Sequence, residues 1–277
     1  MLTSTFCHIP GIGEKTERSI WSDGVMSWDA ALQQTDLKLP CSLRQSWVRC
    51  LEESISNYTS RNLKYFADKL PSNQGWRLYK DFQGYCAFLD IETTGLYYPA
   101  EITTIALYDG RAIRYFVNGY NLNDFTKVIE NYQLLVTYNG KCFDIPFIER
   151  YFGIRLPQAH IDLRYILRSL DLTGGLKGCE RKLGLNRPGL ERVDGFIAVL
   201  LWNEYRKRKN PKALETLLAY NIQDTVVLQT LMIHAHNEKL KATPFSGSHS
   251  LPPPLHPEPP FKADEDTVER ILRQAFW

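Results

Sequence analysis

Between residues 85 and 138 the chain carries four short runs of strand-forming residues, two of them joined by a turn pair that commits them to a hairpin. Tyr85-Cys-Ala-Phe-Leu-Asp90 reads as one strand, and Glu101-Ile-Thr-Thr-Ile-Ala-Leu-Tyr108 as a second ending at Asp109-Gly110. Ala112-Ile-Arg-Tyr-Phe-Val117 then pairs back on it, and Gln133-Leu-Leu-Val-Thr-Tyr138 is a further apolar strand. Helical patterns alternate with these runs: Asn123 to Asn131 reads as helix, and Phe143 to Tyr151 is amphipathic. Three antiparallel strands followed by helix-covered ones predict an α/β fold with a mixed sheet flanked by helices. The stretch, about 84 to 240, closes on a long predicted helix from Lys212 to Leu240. Its apolar positions Leu214, Leu217, Leu218, Ile222, Val226, Leu228 and Leu231 cover a broad face.

The flanking stretches differ in character. Residues 1–80 predict a small helical domain. A Pro10-Gly-Ile-Gly13 turn precedes the helix-forming Glu14 to Trp21, Ser27 or Asp29 can cap a second helix, and Leu43, Trp47, Leu51, Ile55 and Tyr58 form one buried helical stripe. Residues 243–262, dense in Ser and Pro, read as a linker or a strap over the surface. In 263–277 acidic residues precede Val268, Ile271, Leu272 and Phe276, the pattern of a short docking helix. At 277 residues the chain is long enough for one full domain and a smaller companion. No apolar run reaches the roughly 18 residues of a membrane span, and the amino terminus lacks a basic head with an apolar core, so a soluble, cytoplasmic protein is expected. The six cysteines are scattered singly, without metal-site spacing, and read as reduced thiols. A net charge of +2 is compatible with a polyanionic partner without demanding one.

Three motifs carry candidate chemistry. Asp90 and Glu92 sit two apart at the end of an apolar strand, which points both side chains to one sheet face. Two such carboxylates repel unless cations neutralise them, and they are hard oxygen ligands for Mg²⁺ or Mn²⁺; the alternative is a polar strand end entering a turn. Asp144 lies just after a strand, at the start of a helix with Pro146 in its first turn, where a helix cap is the competing reading. Tyr220 and Asp224 stand at i and i+4 on one helical face, a spacing that a surface hydrogen bond would also explain.

Taken in order, Asp90-x-Glu92, Asn139-Gly-x-x-Phe143-Asp144-x-Pro146 and Tyr220-x-x-x-Asp224 resemble the three exonuclease motifs of the DEDD superfamily, in its tyrosine-bearing branch. The second motif is similar to its counterpart in the proofreading domains of family B DNA polymerases. Over a longer reach, with His8-Ile-Pro-Gly-Ile-Gly13, His160-Ile-Asp-Leu163 and Gly175-Leu-Lys-Gly-Cys-Glu-Arg-Lys-Leu-Gly184, the chain resembles the YprB-type ribonuclease H-like proteins. The resemblance implies an RNase H-like mixed five-stranded sheet and a two-metal-ion nuclease, expected to act 3′ to 5′ on single-stranded DNA or RNA ends. It further implies that Asp90 bridges two Mg²⁺ or Mn²⁺ ions, that Glu92 and Asp224 hold the first and that Asp144 supports the second. Tyr220 is implied to orient the attacking water. Thr93, Thr94, Asn139 and Phe143 would lie near the terminal nucleotide, Phe143 being equally placed to belong to the core. A binding protein that keeps the fold without turnover, and a metal-dependent phosphatase or nucleotidase, are the alternatives. No protein partner can be inferred.

Lys177, Arg181, Lys182, Arg187 and Arg192 concentrate positive charge between the second and third motifs and are candidates to contact phosphates, or else form a solvated helix face. The Pro10–Gly13 turn is similar to the hairpin of helix-hairpin-helix DNA-binding modules, with a packing turn as its alternative. His160 and Asp162 are left outside the catalytic set.

Overall fold

A computed structural model describes residues 1–34, 41–97 and 99–276 of the chain. At its centre is a five-stranded sheet of β1 (Cys86–Thr93), β2 (Ile102–Tyr108), β3 (Ile113–Val117), β4 (Leu134–Thr137) and β5 (Ala159–Asp162), in the order β3-β2-β1-β4-β5. β1, β2 and β3 are antiparallel neighbours, whereas β4 and β5 add in parallel, so the sheet is mixed as the sequence pattern implies. Asp109 makes the β2–β3 turn. Its Oδ1 accepts the backbone N–H groups of Arg111 and Ala112 at 3.0 and 2.8 Å, and Gly110 takes φ 83°, a value that favours glycine.

Thirteen α-helices complete the described chain. α1 (Glu14–Ser22), α2 (Trp28–Gln33), α3 (Cys41–Thr59), α4 (Leu63–Lys69) and α5 (Leu78–Phe82) precede the sheet. α6 (Phe125–Ile129), α7 (Asp144–Phe152), α8 (Leu163–Arg168) and α9 (Gly175–Lys182) are interleaved with its later strands. α10 (Gly195–Arg208), α11 (Pro211–Leu240), α12 (Ser246–His249) and α13 (Glu265–Phe276) follow. Ser27 caps α2 through Ala30 N, and Asn210 caps α11 ahead of Pro211, a residue suited to a first turn because it has no N–H to leave unpaired.

The two sheet faces are buried differently. Ala87, Leu89 and Ile91 of β1 point into a core with Phe125 and Ile129 of α6 and Phe147 and Ile148 of α7. Cys86 and Phe88 point to the opposite face, where α8, α10, α11 and the described residues of the amino-terminal helices form one continuous apolar cluster with it. The amino-terminal helices are therefore packed on the sheet layer rather than held off from it. Their internal anchor is ionic. Glu17 pairs with Arg77 at 2.8 Å, both almost fully buried, and also accepts the N–H groups of Phe6 and Cys7. Residues 251–261 run back across the molecule, with Leu251 exchanging hydrogen bonds with Asn237 and Phe261 meeting Tyr115 edge to face. Val268, Ile271 and Leu272 of α13 are buried against the same cluster, and Arg270 pairs with Glu204 of α10 at 2.7 Å. Cys7, Cys50, Cys86, Cys142 and Cys179 are free thiols. Among the described residues no helix is long and apolar enough to cross a membrane.

Candidate active site

Strand alternation decides where the first two acids go. Because Cys86 and Phe88 face α11, Asp90 and Glu92 do too, and the register of β1 against β2 slips only after Glu92. α11 crosses this end of β1 and brings up Asn221 and Asp224, three residues apart on one helical face. The Asn221 amide donates to Asp90 Oδ2 at 2.7 Å and accepts from Thr104 Oγ1 at 3.0 Å, tying β1, β2 and α11 at one point. One oxygen from each of Asp90, Glu92 and Asp224 lies within 4.8 Å of the others. Asp144 reaches them from the first turn of α7. It does not cap that helix; its Oδ1 accepts the Ile91 backbone N–H at 3.2 Å, inside the strand that carries the other two acids.

Crowding shows in the acidities. Burial first, then repulsion from Asp144, Asp224 and Glu92, pushes Asp90 well above the usual carboxylate range. Glu92 is raised in the same way by burial and by Asp224 and Asp144, and burial lifts Asp144 to about 7. Asp224 is also raised by burial, although Arg187 and a hydrogen bond from Tyr220 oppose that shift. The Tyr220 hydroxyl is itself driven strongly upward by burial and by the facing carboxylates, which keeps it protonated. Four oxygen-rich acids gathered with too little compensating positive charge form a donor set that fits hard divalent cations.

These acids line a cavity of about 640 Å³ that also has Thr93, Thr94, Asn139, Phe143, Tyr220, Leu96 and Phe196 on its wall. Phe143 is half-buried, its ring tilted against that of Phe147 at 5.6 Å between centroids, and it lines the cavity. Asn139 adopts φ 66°, and its N–H donates to Asp162 Oδ1 at 2.8 Å. Asp162 also accepts the N–H groups of Lys141 and Arg164, so it organises the loop after β4. His160 hydrogen-bonds Thr137 at 2.8 Å and is held down to about 4 by burial, a structural neutral imidazole.

The expected basic contacts are only partly at this cavity. Lys177 approaches within 5.4 Å of the Tyr220 ring and donates to the Val193 carbonyl. Arg181 is exposed at the end of α9, and Lys182 turns to the Asp171 carbonyl at 2.8 Å; none of the three lines the cavity among the described residues. Arg187 requires a correction. Rather than facing phosphates on a surface, it is buried, with Nε on Glu180 at 2.6 Å, Nη2 on Asp224 at 2.5 Å and its plane 5.9 Å from the Tyr220 ring. A guanidinium inserted there offsets the charge of Glu180 and fixes one oxygen of Asp224. Neither Arg187 nor Asn221 carried a signal in sequence that separated it from an ordinary surface or helix residue.

A family model of the RNase H superfamily matches residues 87–236, which spans β1 through most of α11 and every acid of the cluster. The chain belongs to the RNase H superfamily. Within it the chain is similar to the uncharacterized protein YprB of Bacillus subtilis (strain 168), at 30% identity over 186 residues, a match covering 59% of this chain. This RNase H superfamily chain spans only 45% of that relative's length. Among solved structures it is similar to the family B DNA polymerase of the hyperthermophilic archaeon Pyrobaculum calidifontis, at 18% identity and a TM-score of 0.44 over 56% of this chain and 24% of the polymerase.

Proposed function

We propose that this chain is a divalent-cation-dependent nuclease that hydrolyses phosphodiesters at single-stranded ends, in the 3′ to 5′ direction. The observation that carries the reading is the meeting of Asp90, Glu92 and Asp224 within 4.8 Å on a wall that Asp144 completes. Mg²⁺ or Mn²⁺ held by these four carboxylates supplies the positive charge that stabilises entering and leaving oxygens in a displacement at phosphorus. The remaining work belongs to the chain. Tyr220 stays protonated and donates its O–H to Asp224, which leaves the phenolic oxygen lone pairs to accept a proton-side contact from water and so aim that water at phosphorus. Asn221 keeps Asp90 from rotating, and the Ile91 N–H does the same for Asp144. Thr93, Thr94, Asn139 and Phe143 shape the cavity beside the acids and take up the terminal nucleotide, Phe143 offering a face on which a base stacks.

End-labelled DNA and RNA oligonucleotides incubated with Mn²⁺ or Mg²⁺ test the reading. Stepwise shortening from the 3′ end, abolished in Asp90→Ala, is the expected result. Retention of the oligonucleotide without any product would instead make the protein a binder built on this fold. Release of phosphate from mononucleotides alone would make it a nucleotidase.

A further inference from the structure

Beside the acid-lined cavity lies a second cavity of about 600 Å³, and the two share Tyr138 and Asn139 as a common wall. The chemistry on either side of that wall differs. Leu96 and Phe196, both exposed, line the acidic cavity and are absent from the second. The second is lined by Arg164 and Arg168 of α8 and by the Thr173–Gly175 segment, where two successive glycines add no side chain to fill it.

Arg164 and Arg168 stand one helical turn apart, an arrangement of like charges that costs stability unless an anion sits against it. Asp162, two residues before Arg164, does not serve. Asp162 has its oxygens committed to the N–H groups of Asn139, Lys141 and Arg164. The Arg164 guanidinium instead donates to Asn139 Oδ1, which places a positive charge against the wall that the two cavities share. A basic groove that adjoins an acidic, cation-accepting cavity across a shared wall is arranged as successive stations for one chain of phosphates.

We propose that this groove binds the sugar–phosphate backbone of the polynucleotide strand whose end enters the acid-lined cavity, with Arg164 and Arg168 as its phosphate contacts. The proposal rests on the reading of that cavity as the place of phosphodiester hydrolysis. Base-independent contacts of this kind give affinity that weakens with salt and ignores sequence.

The test measures binding of a fluorescent single-stranded oligonucleotide to the full chain by anisotropy across salt concentrations in Ca²⁺, alongside Mn²⁺-dependent hydrolysis of bis(p-nitrophenyl) phosphate. The latter has no backbone to reach the groove. Arg164→Gln/Arg168→Gln is expected to weaken binding roughly 5- to 20-fold at low salt and to reduce the slope of log affinity against log salt by about 1.4, near 0.7 for each lost phosphate contact. Hydrolysis of the small diester should persist, which shows that the variant is folded. Lys207→Gln/Arg208→Gln, at the far end of α10, removes the same charge elsewhere. Unchanged affinity in the α8 variant, an equal loss in the α10 control, loss of small-diester hydrolysis in step with binding, or no binding by the unaltered chain would each overturn the groove. Groove-dependent binding without hydrolysis of either diester would leave the groove standing and overturn the nuclease reading.

Discussion

Tyr220 and Asp224 stand one turn apart on α11, and a single hydroxyl between them separates two kinds of catalyst. If that hydroxyl orients water, Tyr220→Phe removes the function while keeping the ring that packs against Lys177 and Arg187. The turnover rate is then expected to fall about 10²-fold or more, with Mn²⁺ affinity measured by calorimetry nearly unchanged. An unaltered rate would make the tyrosine a packing residue. Arg187 poses the converse problem. Arg187→Gln leaves Glu180 and Asp224 buried without their shared cation, so urea unfolding in metal-free buffer should show a loss of about 3–5 kcal/mol. At this scale sequence was informative where geometry is periodic. Asp90 and Glu92 share a face because strands alternate, and Tyr220 and Asp224 share one because helices turn every 3.6 residues. Arg187 was read outward because nothing local distinguishes a basic residue in a loop from one that folds inward onto an acid 37 positions later.

At the scale of elements, a buried amide ties α11 to two strands of the sheet at once. Asn221 links Thr104 on β2 with Asp90 on β1, and the asparagine is fully buried. Asn221→Ala strands both partners, and a destabilisation of about 1–3 kcal/mol is expected from the shift of the urea midpoint. Activity should fall further than stability explains, since Asp90 also loses its orientation. The antiparallel strands were readable because β-branched and aromatic residues bounded by Asp109-Gly110 leave little choice. The short β5 was less so: four residues ending in Asp162, paired in parallel with a strand 25 positions earlier, owe their state to the neighbour rather than to their own pattern. The cap that competed with the metal-ligand reading of Asp144 is not formed, for the same reason: the Ile91 N–H, brought alongside by tertiary packing, takes the carboxylate instead.

Across the whole molecule, two sets of buried groups pull stability in opposite directions with pH. His8 is neutral in the fold, held down to about 3 by burial, whereas the unfolded chain takes up a proton near the ordinary value of 6.5. Its contribution is present above about pH 6.5 and is lost as pH falls toward 3, with a slope of at most about 1.4 kcal/mol per pH unit. His8→Leu is expected to flatten the acid limb of melting temperature against pH. Asp144, raised to about 7, works in the other sense: the folded state keeps a proton that the unfolded chain releases near 3.8, so metal-free stability falls as pH climbs between those values. Divalent cations that replace that proton should therefore raise the melting temperature more at pH 8 than at pH 5. Equal shifts at both would place the ions elsewhere. Individual helices such as α1 and α2 were legible ahead of the sheet, but the sharing of one apolar cluster between these helices and the sheet was not, because composition marks segments and not what they pack against.

Asp90 and Asn221 are bonded across a sequence separation of 131 residues, and Asp224 lies three positions further on. Chains emerge from the ribosome amino terminus first. Until α11 has been synthesised and docked, Asp90 and Glu92 have neither Asp224 beside them nor the amide that steadies Asp90, so the acid cluster cannot assemble on a nascent chain that stops short of this helix. The order of the motifs along the chain makes closure of the acid cluster wait for α11.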